Sequence, residues 1–228
     1  MTATTATAST PPAAVPARRR AALIAGVSTL LLAAVGMPAN LITLQLADAA
    51  AAGGALAWAE GSALALRAAV LAIVVASALD IVIAWALTRL LERPGDELPR
   101  LAGWLRVAYA AAFLVSSGIL ATGIGAADEA TIAAASTGFG SVWSIALVLF
   151  AAHLLTLGLA LLRSPRIPRL LGALILAAGG SYAVDGVARI LVPELGPADG
   201  VLTTAVAITS IVGEIGLALW LLARGGRR

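Results

Sequence analysis

Apolar residues run along the chain in six long blocks, separated by short polar connections. The blocks cover residues 21–44, 67–91, 101–125, 139–162, 170–192 and 201–223. Each block holds about 22 to 25 residues, and a helix of that length crosses roughly 30 Å of hydrocarbon at 1.5 Å per residue. The pattern therefore predicts an all-α protein, a polytopic bundle of six transmembrane helices.

The composition favours the same class of protein and excludes several others. The 228 residues are 61% hydrophobic and only 12% charged, whereas soluble domains are about 45–50% apolar and about 25% charged. Cys is absent and there is a single His, so we expect no metal centre, no cofactor and no disulfide. The basic residues stand in short clusters beside apolar blocks, a pattern that does not indicate nucleic-acid binding.

The arginines predict how the chain is threaded. All 15 basic residues are Arg, and the six-span pattern places most of them on one side of the membrane. That side carries Arg18, Arg19, Arg20, Arg89, Arg93, Arg100, Arg163, Arg166, Arg169, Arg224, Arg227 and Arg228. Because positively charged loops stay in the cytoplasm, both termini are expected to be cytoplasmic.

The ends of the chain and the loops give coarser expectations. Residues 1–17 are small and proline-bearing and predict a disordered tail, followed by a six-helix domain over 18–228. Alternatively, a signal peptide is cleaved near Gly36, since the first apolar run is short before Pro38. The longer connection 45–66 is expected to lie on the outer surface, and Asp128 and Glu129 are expected in a solvated outer loop.

Three ionisable residues lie at one depth inside the predicted spans. Glu214 and His153 each stand ten residues before an arginine, and Asp80 stands nine before one, which is roughly 14–15 Å from the arginine-rich side. Buried ionisable groups in membranes are functional candidates by default. We therefore predict Glu214, His153 and Asp80 as ligand- or proton-binding candidates, with Glu214 either paired with His153 or protonated.

Two pairs have a structural interpretation instead. Asp80 can meet Arg106 of the next span, and Asp185 precedes Arg189 by four residues, the helical ion-pair spacing. The similar segments LPRLAGWL (98–105) and IPRLLGAL (167–174) leave open an internal repeat of three hairpins. Such a repeat would gather equivalent positions at a central site.

Three classes of function fit these features. The first is a small-molecule or ion transporter, coupled to protons through the midplane residues. The second is a structural or regulatory protein that binds lipid, a partner helix or a second copy of itself. The third, which we rank last, is an intramembrane hydrolase that uses a Ser181–His153 dyad.

The second half of the chain carries a recognisable set of motifs. They comprise Arg163, Ser164, Pro168, Arg169 and Gly172; Tyr182 and Asp185; and Gly213, Glu214, Trp220 and Leu221. With looser matches from Arg18 onward, the chain resembles a family of bacterial integral membrane proteins labelled as a domain of unknown function, number forty-three eighty-six. The resemblance implies an uncleaved six-span protein of the bacterial inner membrane and transfers no activity.

Overall fold

The computed structural model describes residues 14–192 and 200–227, and helices dominate these two ranges, in which no strand occurs. The helices are α1 (Ala14–Ala51), α2 (Ala55–Gly61), α3 (Ala63–Leu91), α4 (Leu98–Ala121), α5 (Glu129–Leu162), α6 (Arg169–Leu191), α7 (Gly200–Ser210) and α8 (Gly216–Ala223). A π-helical turn, Ile211–Ile215, joins α7 to α8, so Gly200–Ala223 forms one continuous span.

Six helices are long and apolar enough to cross a membrane, namely α1, α3, α4, α5, α6 and the joined α7–α8. The chain is therefore a multi-pass integral membrane protein, and the predicted all-α bundle of six spans is confirmed. Large apolar side chains such as Leu31, Leu71 and Leu170 remain exposed on the outside of the bundle. A lipid bilayer is the environment in which such exposure carries no hydrophobic cost.

The first helix is longer than its predicted span. It begins at Ala14 and continues through Pro38 to Ala51; residues 1–13 of the predicted tail lie outside the described part of the chain. The short helix α2 follows, and its Ala55 and Ala59 are buried against the bundle. The connection 45–66 thus consists mostly of helix.

The spans pack in chain order and then close on themselves. Each span contacts the next, and α8 packs back against α1. Helices α1 and α5 also touch. The two helices therefore contribute to two groups: one contains α3 and α4, and the other contains α6 and the sixth span.

Glycines set the distance between α5 and α6. A Cβ atom added at Gly158 or Gly172 would lie 2.6 or 2.9 Å from a leucine side chain of the opposite helix. At Gly179 it would lie 2.9 Å from the backbone nitrogen of Leu155. The two helices therefore approach closely along a seam that only glycine permits.

The loop between α4 and α5 has two acidic residues with defined structural roles. Asp128 caps α5 by accepting hydrogen bonds from the backbone N–H and the hydroxyl of Thr131, both at 2.8 Å. The backbone bond, followed by the hydroxyl bond, lowers the pKa of Asp128 from its ordinary value. The expectation of a merely solvated Glu129 is wrong, because its carboxylate binds the N–H groups of Ala55 and Leu56 at 2.8 and 2.7 Å and so caps α2.

Candidate functional site

A buried arginine joins two neighbouring spans. Arg106 of α4 is only 3% exposed, and its Nε and Nη2 lie 2.8 and 2.6 Å from Oδ1 of Asp80 on α3. Asp80 is 1% exposed. Charge of either sign is costly at this depth, so the pairing makes the burial of both groups tolerable.

The same guanidinium reaches a third span. Its Nη1 lies 3.0 Å from Nε2 of His153 on α5, and Nδ1 of His153 lies 2.8 Å from the carbonyl oxygen of Ala102 on α4. Since a guanidinium has only donors, Nε2 accepts and Nδ1 carries the proton that it donates to Ala102. His153 is therefore held as one neutral tautomer between two spans.

Aromatic rings cover this polar group. The guanidinium carbon Cζ of Arg106 lies 5.4 Å from the centre of the Phe150 ring, within the range of a cation–π interaction. The rings of Tyr109 and Tyr182 lie 4.6 and 5.0 Å from Phe150, the latter edge-on. We call Asp80, Arg106 and His153 the buried triad.

Glu214 is held by an unusual piece of backbone. It lies in the π-helical turn Ile211–Ile215, a conformation that is rare and frequently found at functional sites. Gly213 precedes it and packs on α6, where an added Cβ would lie 3.1 Å from the carbonyl oxygen of Leu174. The wider turn and the close approach to α6 together fix where the carboxyl points.

The Glu214 carboxyl is only partly tied down. Ser210 donates to its Oε1 at 2.6 Å, and Tyr182 donates to Ser210 at 3.3 Å. Within the described ranges Oε2 has no hydrogen-bond partner, and the residue is half-buried. Glu214 also interacts electrostatically with Arg106 and Asp80. We call the buried triad together with Glu214, Ser210 and Tyr182 the polar layer.

A family model described as a domain of unknown function, DUF4386, matches residues 24–225. The chain belongs to the DUF4386 family. The matched range includes the triad and Glu214, and the family membership inferred from the sequence motifs is confirmed. No curated protein and no solved structure matches this chain.

Of the three ionisable residues that the sequence placed at one depth in this DUF4386 protein, the structure brings Asp80 and His153 together and leaves Glu214 apart. Asp80 and His153 lie on either side of Arg106, in direct contact with it. The expected Glu214–His153 pair is absent, because both ring nitrogens of His153 are engaged by Arg106 and Ala102. Ser210 binds Glu214 in place of the histidine.

The Ser181–His153 dyad of the last-ranked hydrolase hypothesis is also absent. The hydroxyl of Ser181 donates to the carbonyl of Ala178 at 2.8 Å and lies 2.6 Å from the hydroxyl of Thr209. A serine hydroxyl inside a helix often donates to the backbone carbonyl three or four residues earlier, and Ser181 does so here. Ser181 therefore links α6 to α7.

A second buried ion pair, Asp185–Arg189, lies within α6. Arg189 meets Asp185 at 2.8 Å, and its Nη2 donates to Thr203 of α7 at 3.2 Å. Both acidic and basic side chains are at least nine-tenths buried. The pair thus contributes to the contact between the fifth and sixth spans.

The contacts that Ser210 and Tyr182 make in the polar layer were not predicted from the sequence. Ser210 precedes Glu214 by four residues, a spacing at which helical side chains meet, so this contact could have been read. Tyr182 could not, since its bond to Ser210 depends on how α6 packs against α7. Across the described ranges, no cluster of three or more His, Asp or Glu residues is placed to hold a metal ion.

Proposed function

We propose that this DUF4386 protein is a proton-coupled transporter of a small molecule or ion, in which Glu214 binds the proton. One observation carries the proposal: the midplane carboxyl of Glu214 stands on a π-helical turn with one oxygen held by Ser210 and the other without a hydrogen-bond partner in the described ranges. A carboxyl held in this way can gain and lose a proton without breaking an ion pair.

The buried triad has a different role in this proposal. Both nitrogens of His153 and all three guanidinium nitrogens of Arg106 are engaged. If Asp80 took up a proton, the buried charge of Arg106 would lose its counter-charge. We therefore assign the triad to anchoring α3, α4 and α5, as a fixed support beside which the sixth span moves.

The orientation belongs to the proposal as well. Arginines from both ends of the chain and from two loops border a single cavity at one end of the bundle. This arrangement supports a protein with both termini in the cytoplasm, since positively charged segments are retained there. We place it in the bacterial inner membrane.

Infrared titration tests whether Glu214 binds a proton. Purified protein in detergent is titrated, and the carbonyl band of a protonated carboxylic acid is followed in wild type, Glu214→Gln and Glu60→Gln. Glu60 is exposed on α2, so Glu60→Gln makes the same chemical change outside the polar layer. The 12 acidic side chains all contribute to this band once protonated. The proposal therefore expects one component of the band, titrating apart from the exposed carboxyls, that Glu214→Gln removes and Glu60→Gln keeps; a titration that is unchanged in Glu214→Gln contradicts it.

Proteoliposomes test the coupling to transport. Candidate solutes are added under an imposed pH gradient, and internal pH is followed with a trapped dye. We expect at least one solute to elicit proton flux in wild type and in Glu60→Gln, and Glu214→Gln to reduce that flux at least about tenfold, the scale of losing one positioned proton-transfer group. Solute-dependent flux that is unchanged in Glu214→Gln would refute the coupling.

A second candidate function is supported by the sixth span. None of the described residues of α7 is buried, whereas α8 buries Leu217, Ala218 and Leu221. This half of the span is therefore open to a partner helix or a second copy, as a structural or regulatory protein requires. Light scattering of the detergent-solubilised protein separates the two: a stable oligomer favours this candidate, and a monomer favours the transporter.

A further inference from the structure

A cavity of about 590 Å³ lies at the arginine-rich end of the bundle. Four distant parts of the chain form it: the start of α1, the α3–α4 loop, the α5–α6 loop and the end of α8. Its polar lining includes Arg18, Arg93, Ser164, Arg166, Arg224 and Arg227. We call it the arginine cavity.

The walls of the arginine cavity are held by specific contacts. Arg19 donates to the carbonyl oxygens of Leu221 and Gly225, both at 2.9 Å, and of Leu222 at 2.6 Å. These bonds tie the start of α1 to the end of α8. Gly226 adopts a φ of +67°, and a Cβ there would lie 2.6 Å from the backbone of Arg18, so the turn after α8 closes tightly on α1.

The arginines of the cavity are not paired with carboxylates in the part of the chain that the structure describes. None of its five arginines forms an ion pair with any residue of the described ranges. Arg18 lies close enough to Arg166 and Arg93 to be repelled by both. One carboxylate, that of Glu92, also borders the cavity, and its Oε2 lies 3.8 Å from Nη1 of Arg89, which is not a lining residue. Like charges gathered in this way are relieved by an anion.

A serine hydroxyl adds a neutral donor. Ser164 borders the cavity and is 6% exposed as a residue, and its hydroxyl has no hydrogen-bond partner among the residues that the structure describes. Guanidinium groups and a hydroxyl together are the donors that recognise phosphate oxygens. Trp220 and Leu90 add apolar surface to the cavity lining.

We propose that the arginine cavity binds the phosphate group of an anionic ligand. Two sources offer that chemistry, the headgroup of an anionic phospholipid and a free phosphate compound in the cytoplasm. Basic pockets between helix ends at a membrane surface suit lipid headgroups, and free phosphate suits the hydroxyl and the arginine forks equally well. This proposal is independent of the role of Glu214.

The test measures lipid binding with two matched double variants. Native mass spectrometry in detergent compares phosphatidylglycerol with zwitterionic phosphatidylcholine for wild type, Arg18→Gln/Arg166→Gln and Arg20→Gln/Arg169→Gln. Both doubles remove two charges at the same end of the bundle, one from α1 and one from the α5–α6 loop (Arg166) or the first residue of α6 (Arg169). Arg20 and Arg169 are exposed and outside the cavity lining. Each arginine near an anionic lipid contributes about fivefold in affinity.

We therefore expect phosphatidylglycerol to bind wild type more tightly than phosphatidylcholine, and the cavity double to weaken that binding about 25-fold. The control double should change it only a few-fold. The site would be overturned if wild type and the cavity double bound both lipids with the same affinity and also bound inorganic phosphate with the same affinity. Equal losses in both doubles would also overturn it, because they would reflect only the general charge of this end.

A second arm identifies the source of the phosphate and guards against misfolding. Inorganic phosphate that raises the melting temperature of wild type, fails to raise that of the cavity double and displaces phosphatidylglycerol supports a free phosphate ligand. Lipid selectivity without a response to phosphate supports the headgroup. Ser164→Ala, which leaves every charge in place, should weaken binding by the preferred source several-fold; no change in this variant removes the hydroxyl from the site.

Discussion

Arg106 illustrates how a charge is accommodated inside a bilayer. A lone arginine at this depth costs about 3 kcal/mol or more, and yet Arg106 is 3% exposed. Its planar fork engages a carboxylate on one side and an imidazole on the other, with a ring face above it. The geometry uses every guanidinium nitrogen, which a lysine could not reproduce.

Removing one partner of Arg106 should therefore destabilise the protein strongly. We expect Asp80→Asn to lower the free energy of unfolding by about 3–5 kcal/mol, because a buried guanidinium loses its counter-charge. Asp48→Asn makes the same chemical change at an exposed position and should have little effect. Denaturant titration in mixed micelles measures both values.

A double-mutant cycle then separates pairing from packing. If the pair is the cause, Asp80→Asn/Arg106→Gln should be less destabilised than the sum of the two single variants. Strict additivity of the single changes would mean that Asp80 and Arg106 act independently, contrary to the 2.6 Å contact.

At the scale of the helix, glycines determine how closely neighbouring helices approach each other. Gly213 lets the π-helical turn approach α6, and glycines line the seam between α5 and α6. In the structure Gly179 and Gly186 make close contacts with α5, whereas Gly180 has no atom within 4 Å of its added Cβ.

Two adjacent glycines should thus respond in opposite directions. Gly179→Ala places a methyl group 2.9 Å from the Leu155 nitrogen, and overpacking of this kind costs about 1–3 kcal/mol. Gly180→Ala should be neutral or stabilising by up to about 1 kcal/mol, since alanine favours the helix. Melting temperatures of the two variants in one detergent measure the difference; a similar loss in both would show that the seam is not tightly packed.

The whole molecule closes the chain on itself. The sixth span packs against the first, and Arg19 caps the end of α8. Both ends of the described chain therefore lie at the arginine-rich end of the bundle. The opposite end carries the α4–α5 loop, where Glu129 secures α2.

Cysteine labelling can assign these two ends to the two sides of the membrane. The chain contains no Cys, so single substitutions give a clean background. Glu97→Cys and Ala127→Cys place a thiol at exposed positions in the α3–α4 and α4–α5 loops. With cytoplasmic termini, an impermeant maleimide should label Ala127→Cys in intact spheroplasts and Glu97→Cys only after lysis. The reverse pattern would invert the proposed orientation.

The sequence by itself determined the class of the protein and the contents of its interior. Six apolar blocks of sufficient length leave only a helical bundle, because every backbone polar group must be satisfied within its own segment in lipid. Asp80, Arg106, His153 and Glu214 were recognisable as well, since any ionisable group in such a block is exceptional. Spacing along one helix also predicted the Asp185–Arg189 contact.

Only the tertiary structure decided which of these groups meet. Depth counted along each helix placed His153 and Glu214 at one level, but depth carries no information on the rotation of a helix or on its neighbours. Rotation and packing direct His153 toward Arg106 and leave Glu214 to Ser210. The π-helical turn, the glycine seam and the arginine cavity likewise arise from contacts between residues far apart in the chain, because their geometry depends on how whole helices approach one another.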